Sequence, residues 1–127
     1  MKKKTIAILE DDNQALEVLI SFFSSKGFDV YGAPSGFDII KDIFARKPDL
    51  IIADLGLPGM PGDQVLKTFK TKGIADQAPI IIVSACPPAE VEEAAKSVKA
   101  VAFLSKPYDM GKLLELVNQN LAGTPTA

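Results

Sequence analysis

Three acidic residues in a row, Glu10, Asp11 and Asp12, close the apolar run Ile6-Ala7-Ile8-Leu9. Two more oxygen donors close other apolar runs: Asp54 ends "LIIAD" and Ser84 ends "IIIVS". Lys106 follows a further run, "VAFLS". Two carboxylates about 4 Å apart repel by about 4 kcal/mol at an effective dielectric near 20. An acidic cluster therefore needs a positive counterpart, or it is a solvated turn. Mg²⁺ is a hard cation that takes carboxylate oxygens and keeps several waters. Glu10, Asp11 and Asp54 supply such oxygens, and the metal would offset their repulsion. Asp54 can then act as a nucleophile toward phosphorus, with the metal, Ser84 and Lys106 meeting the phosphoryl oxygens. Phosphoryl transfer is mostly positioning plus charge neutralisation, and this set offers both.

Taken singly, each residue has a plainer explanation. Strand-end carboxylates often just open loops, Glu10 to Asp12 can be an acidic turn capping a helix, Ser84 a turn hydroxyl and Lys106 a surface lysine. The coincidence at four strand ends favours a site. The elements that would position it follow from the periodicity. Five short β-branched runs read as strands: Thr5 to Leu9, Asp29 to Gly32, Leu50 to Asp54, Ile80 to Ser84 and Val101 to Ser105. The first, third and fourth are apolar on both faces, as buried parallel strands are.

Helical patterns lie between them. Leu16, Leu19, Ile20 and Phe23 repeat at i, i+3, i+4 and i+7, and Gly27 ends that helix. Ser35 and Asp38 resemble a capping box for the second, with Phe37, Ile40 and Phe44 along it. Val65, Leu66 and Phe69 mark a third. Pro88 suits the first turn of a fourth, and Asp109 caps a fifth that carries Leu113, Leu114 and Val117. Strand and helix alternating in this way predict a doubly wound α/β domain with a five-stranded parallel sheet, helices on both faces and, in the common form, strand order 2-1-3-4-5. Ligands of such folds bind at the carboxyl ends of the strands, where the acidic residues, Ser84 and Lys106 fall.

The 127 residues suit one domain, expected over residues 1–122, with 123–127 a tail or the start of a linker. The net charge of −2 gives no basic footprint for nucleic acid. No run approaches the ~18 apolar residues of a membrane span. The single cysteine, Cys86, allows no internal disulfide, which fits the cytosol. The chain has no histidine, so Ser-His-Asp and Cys-His mechanisms, histidine metal ligands and a phosphohistidine of its own are excluded.

The motifs "ILEDD", "DLIIADLGLPGMPG", "IIIVSA" and "AFLSKPY", in this order and spacing, resemble the receiver domain of two-component response regulators, with a flavodoxin-like fold similar to the chemotaxis regulator. The resemblance implies that Glu10, Asp11, Asp54 and the Gly56 backbone carbonyl bind Mg²⁺, or Mn²⁺. It implies that Asp54 is the phosphoacceptor, that Ser84 and Phe103 are the switch pair, and that Lys106 binds the phosphoryl group. Pro107 follows a cis peptide bond in the family, and Gly56 and Cys86 occupy positions that tune dephosphorylation. The donor would be a histidine kinase or a histidine phosphotransfer protein. The output would be a shift of the face formed by helix four, strand five and helix five, read by a downstream protein or a fused domain, or expressed as a phosphorylation-dependent dimer.

This sequence departs from the family on the signalling face. Pro87 and Pro88 stiffen the loop before helix four, and Ala100-Val101-Ala102 stands where many relatives carry Gly-Ala. Helix one has a second apolar stripe, Ala15, Val18 and Phe22, beside its core stripe; it is either a wider core face or a docking surface for the phosphodonor. Two competing functions are a pseudo-receiver that binds without phosphorylation and a small phosphatase of the haloacid dehalogenase type. The latter needs D-x-D after strand one, where this chain has Glu-Asp-Asp.

Overall fold

The computed structural model describes residues 3–10, 12–33, 36–54 and 62–122, with only the backbone for 36–37, 62–66 and 122. The elements are β1 (Thr5–Leu9), α1 (Asn13–Ser25), β2 (Asp29–Ala33), α2 (Gly36–Arg46), β3 (Leu50–Asp54), α3 (Gly62–Lys72), a short 3-10 turn (Ile74–Asp76), β4 (Ile80–Ser84), α4 (Pro88–Ser97), β5 (Ala102–Ser105) and α5 (Met110–Ala122). All five strands are parallel, in the order β2-β1-β3-β4-β5. The expected architecture is thus the observed one.

Side chains alternate across a strand, so one doubly apolar strand feeds two layers. In β1, Ile6 and Ile8 pack with Leu16, Leu19 and Phe23 of α1 and Leu113 and Val117 of α5. Ala7 and Leu9 pack with Ile39 and Ile43 of α2, Phe69 of α3 and Val91 and Ala95 of α4. β3 and β4 divide in the same way, Ile52 and Val83 to the first layer, Ile51 and Ile82 to the second. The three central strands are almost wholly buried, which fixes their register and therefore where their carboxyl ends lie.

Local chemistry sets the helix ends. The Asp12 carboxylate accepts from the Gln14 and Ala15 amides at 2.9 and 3.3 Å, capping α1. Gly27, at φ +97°, ends it. The Gly27 amide donates to Ser24 and the Phe28 amide to Phe23, while the Phe23 and Phe28 rings meet edge to face. α4 begins at Pro88, and Asp109 accepts from the Gly111 amide at 2.9 Å at the head of α5.

Two strand boundaries differ from the expectation. β2 runs through Gly32 to Ala33, with Leu9 opposite Ala33. Gly32 does not stop the strand; it lets α1 approach, since a Cβ there would lie 2.5 Å from Leu16 Cδ1. β5 begins at Ala102 rather than Val101, although the Val101 amide already donates to Ile80 at 2.9 Å. Ser35 lies outside the described residues, as do the side chains of Phe37, Val65 and Leu66.

Candidate acidic site at the strand ends

The sheet delivers Glu10, Asp54, Ser84 and Lys106 to the carboxyl edge of four neighbouring strands. Among the described residues the buried polar side chains are Glu10, Asp54 and Ser84, with 1 %, 3 % and 2 % of their surface exposed. Burial of charge is expensive unless it is paired, and here Lys106 is the partner of both acids. Its Nζ lies 2.6 Å from Asp54 Oδ2 and 3.5 Å from Glu10 Oε1. Glu10 Oε2 accepts from the Asp12 amide at 3.1 Å.

Burial pulls the Lys106 ammonium toward its neutral form, but the hydrogen bond and charge of Asp54, reinforced by Glu10, outweigh it. The pKa is held above the ordinary lysine value. The Lys106 amide donates to the Ser84 carbonyl at 2.8 Å, which carries the pairing of β4 and β5 up to the site. The Lys106–Pro107 peptide bond is cis.

Ser84 Oγ accepts from the Cys86 amide at 3.1 Å. The half-buried Cys86 side chain packs against the layer of α2, α3 and α4, so Cys86 touches the site through its backbone. Phe103 stands on β5 with 37 % of its surface exposed. Of the helix-one stripe, Val18 is exposed while Ala15 and Phe22 are half-buried. Phe22 meets Phe23 edge to face and packs on the inner layer, so it belongs partly to the core.

Asp11 and Gly56 lie outside the described residues. Among the described residues no three acidic or sulfur side chains gather to hold a metal; the carboxylates that meet are Glu10 and Asp54. Tyr108 was not legible as part of this neighbourhood. It is half-buried against the layer of α1 and α5. Burial raises its phenol pKa, and so do the charges of Asp54 and Glu10, with Lys106 acting the other way. Its sequence signal is its place at the end of "AFLSKPY", two residues after Lys106.

Residues 6–118 match the family profile described as "Response regulator receiver domain". Sporulation initiation phosphotransferase F of Bacillus subtilis is 25% identical over 115 residues, covering 90% of this chain and 91% of that protein. The Regulator of RpoS of Escherichia coli is 33% identical over 120 residues, covering 90% of this chain. This chain spans only 34% of that longer relative. Among solved structures, a response regulator receiver protein from Pseudomonas putida is 30% identical with a TM-score of 0.80, covering 94% of this chain and 98% of that one.

Proposed function

Because the chain belongs to the response regulator receiver domain family, signalling modules of two-component systems rather than classical enzymes, we propose that Asp54 is its phosphoacceptor. The observation that supports this most is the lysine shared by two buried carboxylates: Lys106 Nζ at 2.6 Å from Asp54 and 3.5 Å from Glu10, with Ser84 at the adjoining strand end. The donor is the phosphohistidine of a histidine kinase or phosphotransfer protein. An Asp54 carboxylate oxygen attacks phosphorus, the P–N bond breaks, and the imidazole leaves with the bonding pair and takes up a proton.

The chain's own residues then change partners. Lys106 follows the charge from the carboxylate to the phosphoryl oxygens. The Ser84 hydroxyl, now an acceptor for the Cys86 amide, turns to donate to the phosphoryl group. Phe103 moves into the space this opens. Hydrolysis later breaks the acyl P–O bond and returns the carboxylate and inorganic phosphate.

Receiver domains of this family bind Mg²⁺. The donor set here fits a hard divalent cation, since Glu10 and Asp54 are buried carboxylates that both reach Lys106 at the same strand ends. Glu10, Asp11, Asp54 and the Gly56 carbonyl would hold Mg²⁺ or Mn²⁺. When bound, the metal neutralises carboxylate and phosphoryl oxygens.

The test is Mg²⁺-dependent phosphorylation by a small acyl phosphate, read as intact mass on wild type and Asp54→Asn. One added phosphoryl group in wild type only, lost with chelator, is the expected result. No gain in folded wild type with Mg²⁺ present would refute the assignment and leave a pseudo-receiver, a binding module on the same fold.

The proposal extends to partners. Ala15, Val18 and Phe22 form the docking patch for the phosphodonor's helices, with the exposed Val18 at its centre. Val18→Lys should slow transfer from the cognate phosphohistidine protein about tenfold and leave the small donor's rate unchanged. Equal loss with both donors would remove the patch from the mechanism. Output passes through the α4-β5-α5 face to a downstream protein, a fused domain or a second copy. No helix of the described residues is long and apolar enough to cross a membrane, and the cytosol is the proposed compartment. Residues 1–122 are proposed as the receiver unit, with 123–127 as tail or linker.

A further inference from the structure

We infer that the connection from β4 to α4, residues 85–88, is a strut that holds α4 still while Ser84 turns, so that phosphorylation is expressed on β5 at Phe103 and not in α4. The inference rests on Asp54 being the phosphoacceptor. Of the four residues, three have restricted backbones. Pro87 and Pro88 have φ fixed by their rings, and Pro87 sits at φ −54°, ψ 145°. Cys86 and Pro87 each precede a proline, which keeps them extended. Ala85 alone keeps ordinary freedom.

The strut is fastened at both ends. Cys86 is held by its side chain in the α2-α3-α4 layer and by its amide on Ser84 Oγ. The Pro87 carbonyl accepts from the Glu90 and Val91 amides at 2.9 and 3.1 Å, so the first turn of α4 hangs directly on the proline pair.

α4 is also anchored along its length. Val91, Ala95 and Val98 are buried at 1 %, 4 % and 3 % exposure. Past its end, the Ala100 amide donates to Ala95 at 2.8 Å and the Val101 amide to Ile80 at 2.9 Å. Sliding α4 would uncover three core side chains. Moving the Phe103 ring, 37 % exposed on β5 and outside both apolar layers, does not require those three to move. When Ser84 turns away, the Cys86 amide loses one acceptor next to the exposed Ala85, where water can replace it. The local cost of the turn is therefore met without moving the helix.

Two readouts on the full chain test this, with Mg²⁺ and a small acyl phosphate and with the extent of phosphorylation measured by intact mass in the same sample. Amide hydrogen exchange reports α4. The chain has no tryptophan, so Phe103→Trp reports β5 by its emission. We expect exchange across 88–97 to change by less than about twofold, while the Trp emission shifts to the blue as the ring moves inward. In Pro87→Ala/Pro88→Ala, checked for folding by urea denaturation, the first turn of α4 should become responsive, changing by about fivefold or more. The inference is overturned by an α4 change in the phosphorylated wild type as large as that in the double variant. A double variant as silent as wild type also overturns it, because the prolines would then not be the source of the rigidity. Absence of any mass gain overturns the Asp54 assignment and this inference with it.

Discussion

Replacing Lys106 by Met keeps most of the side chain's volume and takes the ammonium away from two buried carboxylates. At an effective dielectric near 20, the gross attraction of Nζ is about 6 kcal/mol for Asp54 at 2.6 Å and about 5 kcal/mol for Glu10 at 3.5 Å. Much of that is offset by desolvation. Removing one partner of a buried pair costs about 3–5 kcal/mol, and the Lys106 side chain is 32 % exposed, so water screens part of the interaction. The expected net loss is about 2–4 kcal/mol at pH 7 without Mg²⁺. Urea denaturation in chelator should show it as a midpoint lowered by about 1–2 M.

The pH dependence carries the sign. The Lys106 pKa is raised on folding, so its contribution is fully present below the ordinary lysine value, about 10.4, and is lost as pH rises through the higher folded value. The wild-type advantage over Lys106→Met should therefore persist from pH 7 to about 10 and fade above that. Lys106→Met/Asp54→Asn should recover part of the loss at pH 7. A midpoint equal to wild type, or a deficit unchanged as pH rises from 7 through the lysine range, would refute the view that Lys106 holds the acids in place.

Other perturbations test the frame around the site. Gly32→Ala places a Cβ 2.5 Å from Leu16 Cδ1 and 3.0 Å from the Ile8 carbonyl; the leucine tip can swing but the β1 backbone cannot, so a loss of about 1–3 kcal/mol is expected in urea denaturation, and a gain would contradict the close approach of α1 and β2. Burial pushes the Tyr31 phenol up to about 12, with Arg46 lowering and Asp42 raising it, and Tyr108 is raised too. Native protein near pH 11 should therefore show less phenolate absorbance than the same protein in urea. Stability should also fall as pH climbs through that range, because the unfolded chain releases those protons first; identical native and unfolded titrations would contradict it.

The central strands were legible because burial on both faces leaves an unmistakable trace: Ile6 to Leu9, Leu50 to Asp54 and Ile80 to Ser84 have no polar residue until the end. The polar residue at each end then marked the site. What was not legible depended on contacts between distant segments. Gly32 reads as a strand stop in isolation and becomes a packing device only when Leu16 lies over it. The stripe leaves Phe22 open between core and docking surface, and only the fold shows its ring leaning on Phe23. The resemblance gives Cys86 a tuning position without saying which atoms meet the site; the turn into α4 packs its side chain on the apolar layer and sets its amide on Ser84. Tyr108 ends the motif "AFLSKPY" with no role assigned to it; its coupling to Asp54 and Glu10 exists only once the chain has turned past Lys106.

On the proposed assignment of Asp54 as phosphoacceptor, phosphorylation would act on two polar contacts of the unphosphorylated site. Lys106 neutralises Asp54 through Oδ2, and Ser84 Oγ accepts from the Cys86 amide. An acyl phosphate moves negative charge outward from the carboxylate, which draws the ammonium with it. It also asks Ser84 to donate; a hydroxyl can donate while it accepts, so the Cys86 contact is given up only where the Ser84 side chain turns. Both changes are driven by one covalent event at adjoining strand ends, Asp54 on β3 and Ser84 on β4, with Val83 of β4 paired opposite Asp54. An unpaired charge is expensive in a buried site, so the ammonium moves with the charge as a whole, while water beside the exposed Ala85 can take the Cys86 amide when Ser84 turns. The site is therefore biased toward two discrete arrangements, and a ligand or modification that favours one shifts the population between them. Stability and switching draw on the same few bonds, and this is why a variant such as Lys106→Met is expected to lose both.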